Sequence, residues 1–189
     1  MTSAAYLPSG PLTTLALGNG VTESRSFDTR YFPAGISAGS ALSWTYTTDS
    51  VGNILQIADS GPGQDRTYTY QDTHYFLTSG TGPWGSLSWS YDKIGNRLTE
   101  TRDGVVTNYA YTPSATGGRS PKLSAVGLGT DEEQRFFFDP AGNETYQAGE
   151  TTKRRMSYDA LGRMSQIKTD SDQTAGALLS LSYDGPGGR

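Results

Sequence analysis

"LSWSYDKIGNRLTETRDG", residues 87–104, decides the fold. Leu87, Trp89 and Tyr91 alternate with Ser88 and Ser90, the period-two pattern of a strand with one apolar face. Asp92 follows, placed to open a type I turn and to accept backbone N–H groups from the residues ahead. Gly95 falls where the chain must pass through a left-handed conformation, which glycine does without a Cβ clash. "NRLTET" then runs back as a second strand. Asp103-Gly104 closes the stretch with a strong two-residue hairpin signal.

The same pattern recurs along the whole chain. Aligned on the aromatic slot before the turn, nine copies start at Tyr6, Phe27, Thr48, Tyr70, Tyr91, Tyr111, Phe138, Tyr158 and Tyr183. Most gaps are 20 to 22 residues, with wider ones of 27 and 25 after Tyr111 and Tyr158. Aspartate follows the slot directly at Asp28, Asp49, Asp92, Asp139, Asp159 and Asp184. Glycine stands four positions after the slot at Gly10, Gly52, Gly95, Gly142, Gly162 and Gly187. Each period therefore reads as two strands and two turns, and a fixed period of this length is the signature of a repeat array. The expected fold is all-β: tandem hairpins in a curved, spiralling antiparallel sheet, one array over residues 1–189.

Some copies depart from the pattern. Tyr31 stands where glycine is expected after Phe27, and His74 takes that place after Tyr70. "TPSATGGRSPKLSAV" after Tyr111 and "KTDSDQTAGALLS" after Tyr158 read as wider loops between hairpins.

Composition narrows the functional classes. A net charge of −4 carries no basic footprint for nucleic acid. Without cysteine there is neither a disulfide nor a thiolate metal site. The first twenty residues lack a basic start and apolar h-region, so no signal peptide is visible, and no apolar run is long enough for a membrane span.

Candidate sites are few. The repeat aspartates could be read as acid–base carboxylates, but a turn brace explains aspartate at that slot every time. His74, the sole histidine, lies in a degenerate turn without a nucleophile elbow, so no catalytic residue is assigned. "TDSDQT" at 169–174 lacks the glycine and glutamate of a calcium loop, and "GLGTDEEQ" lacks the lysine-serine/threonine end of a phosphate loop. Lys153, Arg154 and Arg155 alternate faces on a strand and form no single basic patch. No cofactor or metal is expected. Trp84, in the loop "GTGPWGS", is the aromatic placed to stack on a sugar ring.

"SYDALGRMSQI", "SYDKIGNRLTETRDG", "FFFDPAGNETYQAG" and "LGNGVTESRSFD" resemble the YD repeats of the RHS (rearrangement hotspot) family, over essentially the whole chain. That resemblance implies a β-shell of the kind that encloses a toxin in polymorphic toxins and insecticidal toxin complexes, or an adhesive surface module of the teneurin type. It implies a secreted or cell-surface location and, as partners, further repeats of the same or neighbouring chains, an enclosed toxin domain, or glycan. The family's self-cleaving C-terminal core signature is only faintly echoed by "FDPAGN" and "YDGPGG". Up to 18 strands at about 4.8 Å spacing make a ribbon on the order of 80 Å wide, a wall segment rather than a container. The sequence opens in mid-repeat and stops just after a turn, without polar caps, so the array is expected to continue in a longer protein or to be completed head-to-tail by other copies.

Overall fold

The computed structural model describes residues 2–8, 10–150, 153–169 and 178–183. Among them every regular element is a strand, and every strand pairing is antiparallel. No helix is long and apolar enough to cross a membrane. The chain divides into two compact units, Met1–Ser90 with Thr101–Val105, and Tyr91–Glu100 with Val106–Arg189.

The first unit is built from β1 (Ser3–Tyr6), β2 (Leu12–Ala16), β3 (Thr22–Phe27), β4 (Pro33–Ala38), β5 (Leu42–Thr48), β6 (Ile54–Asp59), β7 (Arg66–Tyr70), β8 (Leu77–Gly82) and β9 (Gly85–Tyr91). Each strand pairs with the next in sequence. The second unit carries most of β10 (Arg97–Arg102) and of β11 (Val105–Pro113), with β12 (Arg119–Val126), β13 (Gln134–Phe138), β14 (Glu144–Ala148), β15 (Lys153–Tyr158), β16 (Met164–Thr169) and β17 (Leu179–Ser180). From β11 to β17 the same neighbour-to-neighbour ladder holds.

Alternation along the strands produces two unlike faces. In β5, β7 and β9 the half-buried positions include Trp44, Tyr46, Tyr68, Tyr70, Leu87 and Trp89, and the exposed ones are serine and threonine. On the exposed face hydroxyls pair across strands, Thr67 with Thr81 at 2.5 Å and Thr69 with Ser79 at 2.6 Å. The only buried apolar side chain among the described residues is Ala125, at 3% exposure. A fold with so little core depends on ladder hydrogen bonds and on cross-strand side-chain pairs, each contributing about 0.2–1 kcal/mol.

The register shows how each turn is entered. A β-bulge precedes the slot residue at Tyr6, Phe27, Thr48, Tyr70, Tyr111, Phe138 and Tyr158. Where the turn has its common length the slot residue then faces the residue six positions on: Phe27 faces Pro33, Thr48 faces Ile54, and Tyr158 faces Met164. A bulge bends the strand and raises its twist, which aims the chain into the turn.

Two details differ from the sequence reading. "TPSATGGRSPKLSAV" is not a wider loop: the strands are longer, Pro113 faces Arg119, and an ordinary turn spans Ser114–Gly118. The turn after Tyr70 is one residue longer than its relatives, with Tyr70 facing Leu77. The residue with positive φ there is Tyr75, at 55°, and not His74.

Candidate functional site

One turn geometry is repeated along the chain. In its commonest form Asp Oδ1 accepts the backbone N–H groups two and four residues ahead. For Asp49 these come from Val51 and Asn53, both at 2.9 Å; for Asp92 from Ile94 and Asn96 at 3.1 and 3.0 Å. Asp159 takes Leu161 and Arg163, both at 2.9 Å, and Asp28 takes Arg30 and Phe32 at 2.8 and 2.9 Å. Asp139 accepts from Asn143 N–H at 2.8 Å. The second oxygen takes a side chain: Asn53, Asn96 and Asn143 amides, or the Arg163 guanidinium, at 2.8–2.9 Å. Both carboxylate oxygens are thus engaged in bracing the chain reversal.

Electrostatics follow from that geometry. The Asn143 side-chain amide and then its N–H hold the Asp139 carboxyl below the usual range, against partial desolvation. For Asp159 the Arg163 N–H leads, desolvation opposes, and the Arg163 guanidinium and Leu161 N–H add to the lowering. At Asp28, Asp49 and Asp92 desolvation is the largest single influence and pushes upward, but the summed donors outweigh it and each lies low. Glu144 runs the other way: desolvation alone raises it.

Glycine completes the turn. Gly52, Gly95, Gly142 and Gly162 have φ of 94°, 89°, 92° and 74°. Their N–H groups donate to the aspartate carbonyl three residues back, and the aspartate N–H donates to the carbonyl four ahead. The same backbone bonds close turns at Leu7–Pro11, Leu17–Val21 and Ser114–Gly118, where no aspartate stands. Asp184 and Gly187 lie outside the described residues, as do residues 170–174 of the "TDSDQT" stretch.

Successive turns touch one another. Arg30 Nη1 donates to the Ser50 carbonyl at 2.8 Å, and Asn96 Nδ2 to the Ser120 carbonyl at 3.1 Å. A Cβ on Gly52 would stand 2.7 Å from the Phe32 ring, and one on Gly10 would stand 3.2 Å from Tyr31. Tyrosine provides a second tie. Tyr70, Tyr158 and Tyr183 hydroxyls donate to the carbonyls of Ile54, Glu144 and Met164 at 3.0, 2.8 and 2.7 Å. In each case the acceptor begins the return strand of the preceding hairpin.

The aromatic cluster of the first unit is centred on Arg66. Its guanidinium carbon lies 4.7 Å from the Trp44 ring centre and 6.0 Å from that of Trp84. Asp59 accepts from Trp44 Nε1 at 2.6 Å and faces Arg66 at 3.7 Å. Trp84 is 39% exposed, stacks on Tyr68 at 6.5 Å, and covers Gly82, where a Cβ would approach its ring to 2.7 Å. His74 stacks on Phe76 at 5.4 Å. Among the described residues, no three His, Asp or Glu side chains gather as metal ligands would.

No protein-family model and no curated protein matches the chain. Its fold does match solved structures. In the crystal structure of TcdB2–TccC3–Cdc42 the likeness has a TM-score of 0.56 and 17% identity, over 89% of this chain and 11% of that one. In the Photorhabdus luminescens Tc holotoxin pore carrying a TccC3 mutation, the values are 0.52 and 14%, over 89% and 12%. TcdB2–TccC3–TEV gives 0.52 and 15%, over 88% and 13%. The chain therefore spans about an eighth or less of those chains, and at these identities the likeness is one of fold: an RHS-like β-sheet.

Proposed function

We propose that this chain is a structural scaffold of the YD-repeat type, a stretch of the β-wall of an RHS-like shell, with no catalytic role. One observation carries the reading. The residues most suggestive of chemistry, the repeat aspartates, have both oxygens taken up by their own turns, and those turns are tied to their neighbours. Such an arrangement braces successive turns and leaves none of these five described aspartates free to move a proton. The fold likeness to chains of TcdB2–TccC3 complexes supports the same conclusion. In a shell, the partners are further repeats of the same or neighbouring chains and an enclosed toxin polypeptide, and the location is secreted or at the cell surface.

Strand arrays of this kind associate through unpaired backbone at their edges. Sedimentation velocity over a hundredfold concentration range is expected to show growing species, with elongated or annular particles by electron microscopy. A monomer unchanged at the highest concentration contradicts the self-associating form of the proposal. A glycan-binding role for Trp84 has less support, because one side of the ring is occupied by Tyr68 and Gly82.

A further inference from the structure

The tyrosine tie is missing at two slots that stand beside clefts. Where the slot residue is Tyr70, Tyr158 or Tyr183, its hydroxyl reaches the preceding hairpin. Phe27 and Phe138 occupy the same slot without a hydroxyl, and a cleft lies beside each, of about 390 and 640 Å³. The larger one adjoins β12 and β13, which are laddered only at Ala125↔Arg135 and Val126↔Gln134 although both strands run on toward the Phe138 turn. Ala125, Leu128, Phe136 and Phe138 give this cleft an apolar lining.

Its charges are unevenly committed. Arg135, in the lining, is held by Glu133. The Asp139 carboxylate, also in the lining, accepts on both oxygens from Asn143. Lys122 forms no ion pair among the described residues, and its Nζ stands 5.9 Å from the centre of the Phe138 ring. An unpaired ammonium beside an aromatic surface, in a cleft of this volume, is complementary to a ligand with a flat apolar body and one anionic end.

We propose that the β12–β13 cleft binds a small aromatic carboxylate, its ring against Phe138 and Leu128 and its carboxylate on Lys122. The probe is 1-naphthoate, titrated by calorimetry and by chemical-shift mapping on the intact chain, beside the neutral 1-naphthalenemethanol. One saturable site is expected, with shifts confined to residues around 122–128 and 135–139. Lys122→Gln is expected to weaken naphthoate about tenfold and leave the neutral compound unaffected. Lys93→Gln, the same charge change in an exposed turn of the second unit, is expected to leave both unaffected. Leu128→Glu, at an exposed turn residue, tests the same cleft without touching Lys122 and is expected to weaken naphthoate as well. Equal affinity in Lys122→Gln and the parent, equal affinity for the neutral compound, or no saturation at millimolar naphthoate would each overturn the proposal.

Discussion

Gly52 combines a left-handed backbone with a crowded surrounding. Its φ of 94° lies in the left-handed region, where an L side chain costs roughly 1–2 kcal/mol. A Cβ there would also stand 2.7 and 2.8 Å from two carbons of the Phe32 ring, closer than van der Waals contact allows. Displacing that ring, which also carries the Arg30 guanidinium at 4.6 Å, adds about 1–3 kcal/mol of overpacking. Gly162 separates the two effects: its φ is 74°, and the nearest atom to a Cβ is Asn143 Oδ1 at 3.9 Å. Gly162→Ala should therefore cost only the backbone part, about 1–2 kcal/mol. Gly52→Ala should cost about 2–5 kcal/mol, the sum of both parts. Urea unfolding followed by tryptophan fluorescence reads the first unit, and backbone-amide exchange resolves both sites. A double-mutant cycle with Phe32→Ala isolates the clash: in that background, Gly52→Ala should fall to the Gly162→Ala value. If Gly52→Ala costs no more than Gly162→Ala in the parent background, the stacked-turn packing is wrong.

The other predictions probe the tie, the strain and the charge. Tyr158→Phe removes the donor to the Glu144 carbonyl and should cost about 0.5–1.5 kcal/mol by urea unfolding; an unchanged midpoint would show that the tie contributes nothing. Tyr75 holds φ at 55° with a ring 49% exposed, so Tyr75→Gly should stabilise by about 0.5–1 kcal/mol, strain relief of roughly 1–2 offset by glycine's entropy; a lower melting point refutes this. The turn aspartates have folded pKa values below the unfolded one, so their contribution is present above about pH 4 and lost as pH falls through the folded values. Glu144 is raised and contributes in the opposite sense, losing stability as pH rises, but it is one group against five. Melting temperature should therefore fall between pH 5 and 2, and less steeply in Asp159→Asn, which keeps an acceptor without a titrating proton. An identical slope in that variant would remove Asp159 from the acid response.

Much of the fold was legible because two independent periods coincide. Alternation in "LSWSY" and "RTYTY" sets the strand face, and the recurrence near 21 residues sets the hairpin, so class and strand direction followed from side-chain order alone. What escaped was geometry that the backbone can make without its usual residues. Ser114 begins the turn after Tyr111 because Gly117 supplies the left-handed position three residues later; the extra length went into longer, bulged strands. Tyr75 and Tyr31 both adopt positive φ without glycine, at 55° and 65°; in the turn after Tyr70 one extra residue moves that position from His74 to Tyr75.

The tyrosine hydroxyl was hidden for a different reason. Spacing shows that the slot is aromatic, and Phe27 and Phe138 satisfy that rule as well as Tyr158 does. Only the folded chain brings the hydroxyl from one hairpin to the return strand of the one before it. The Tyr/Phe choice is then a choice about inter-hairpin cohesion: a phenol adds a cross-hairpin hydrogen bond, and a phenyl leaves apolar surface beside an opening. A sheet built from one repeated turn can thus vary a single oxygen atom per repeat to set which hairpins are tied to the ones before them.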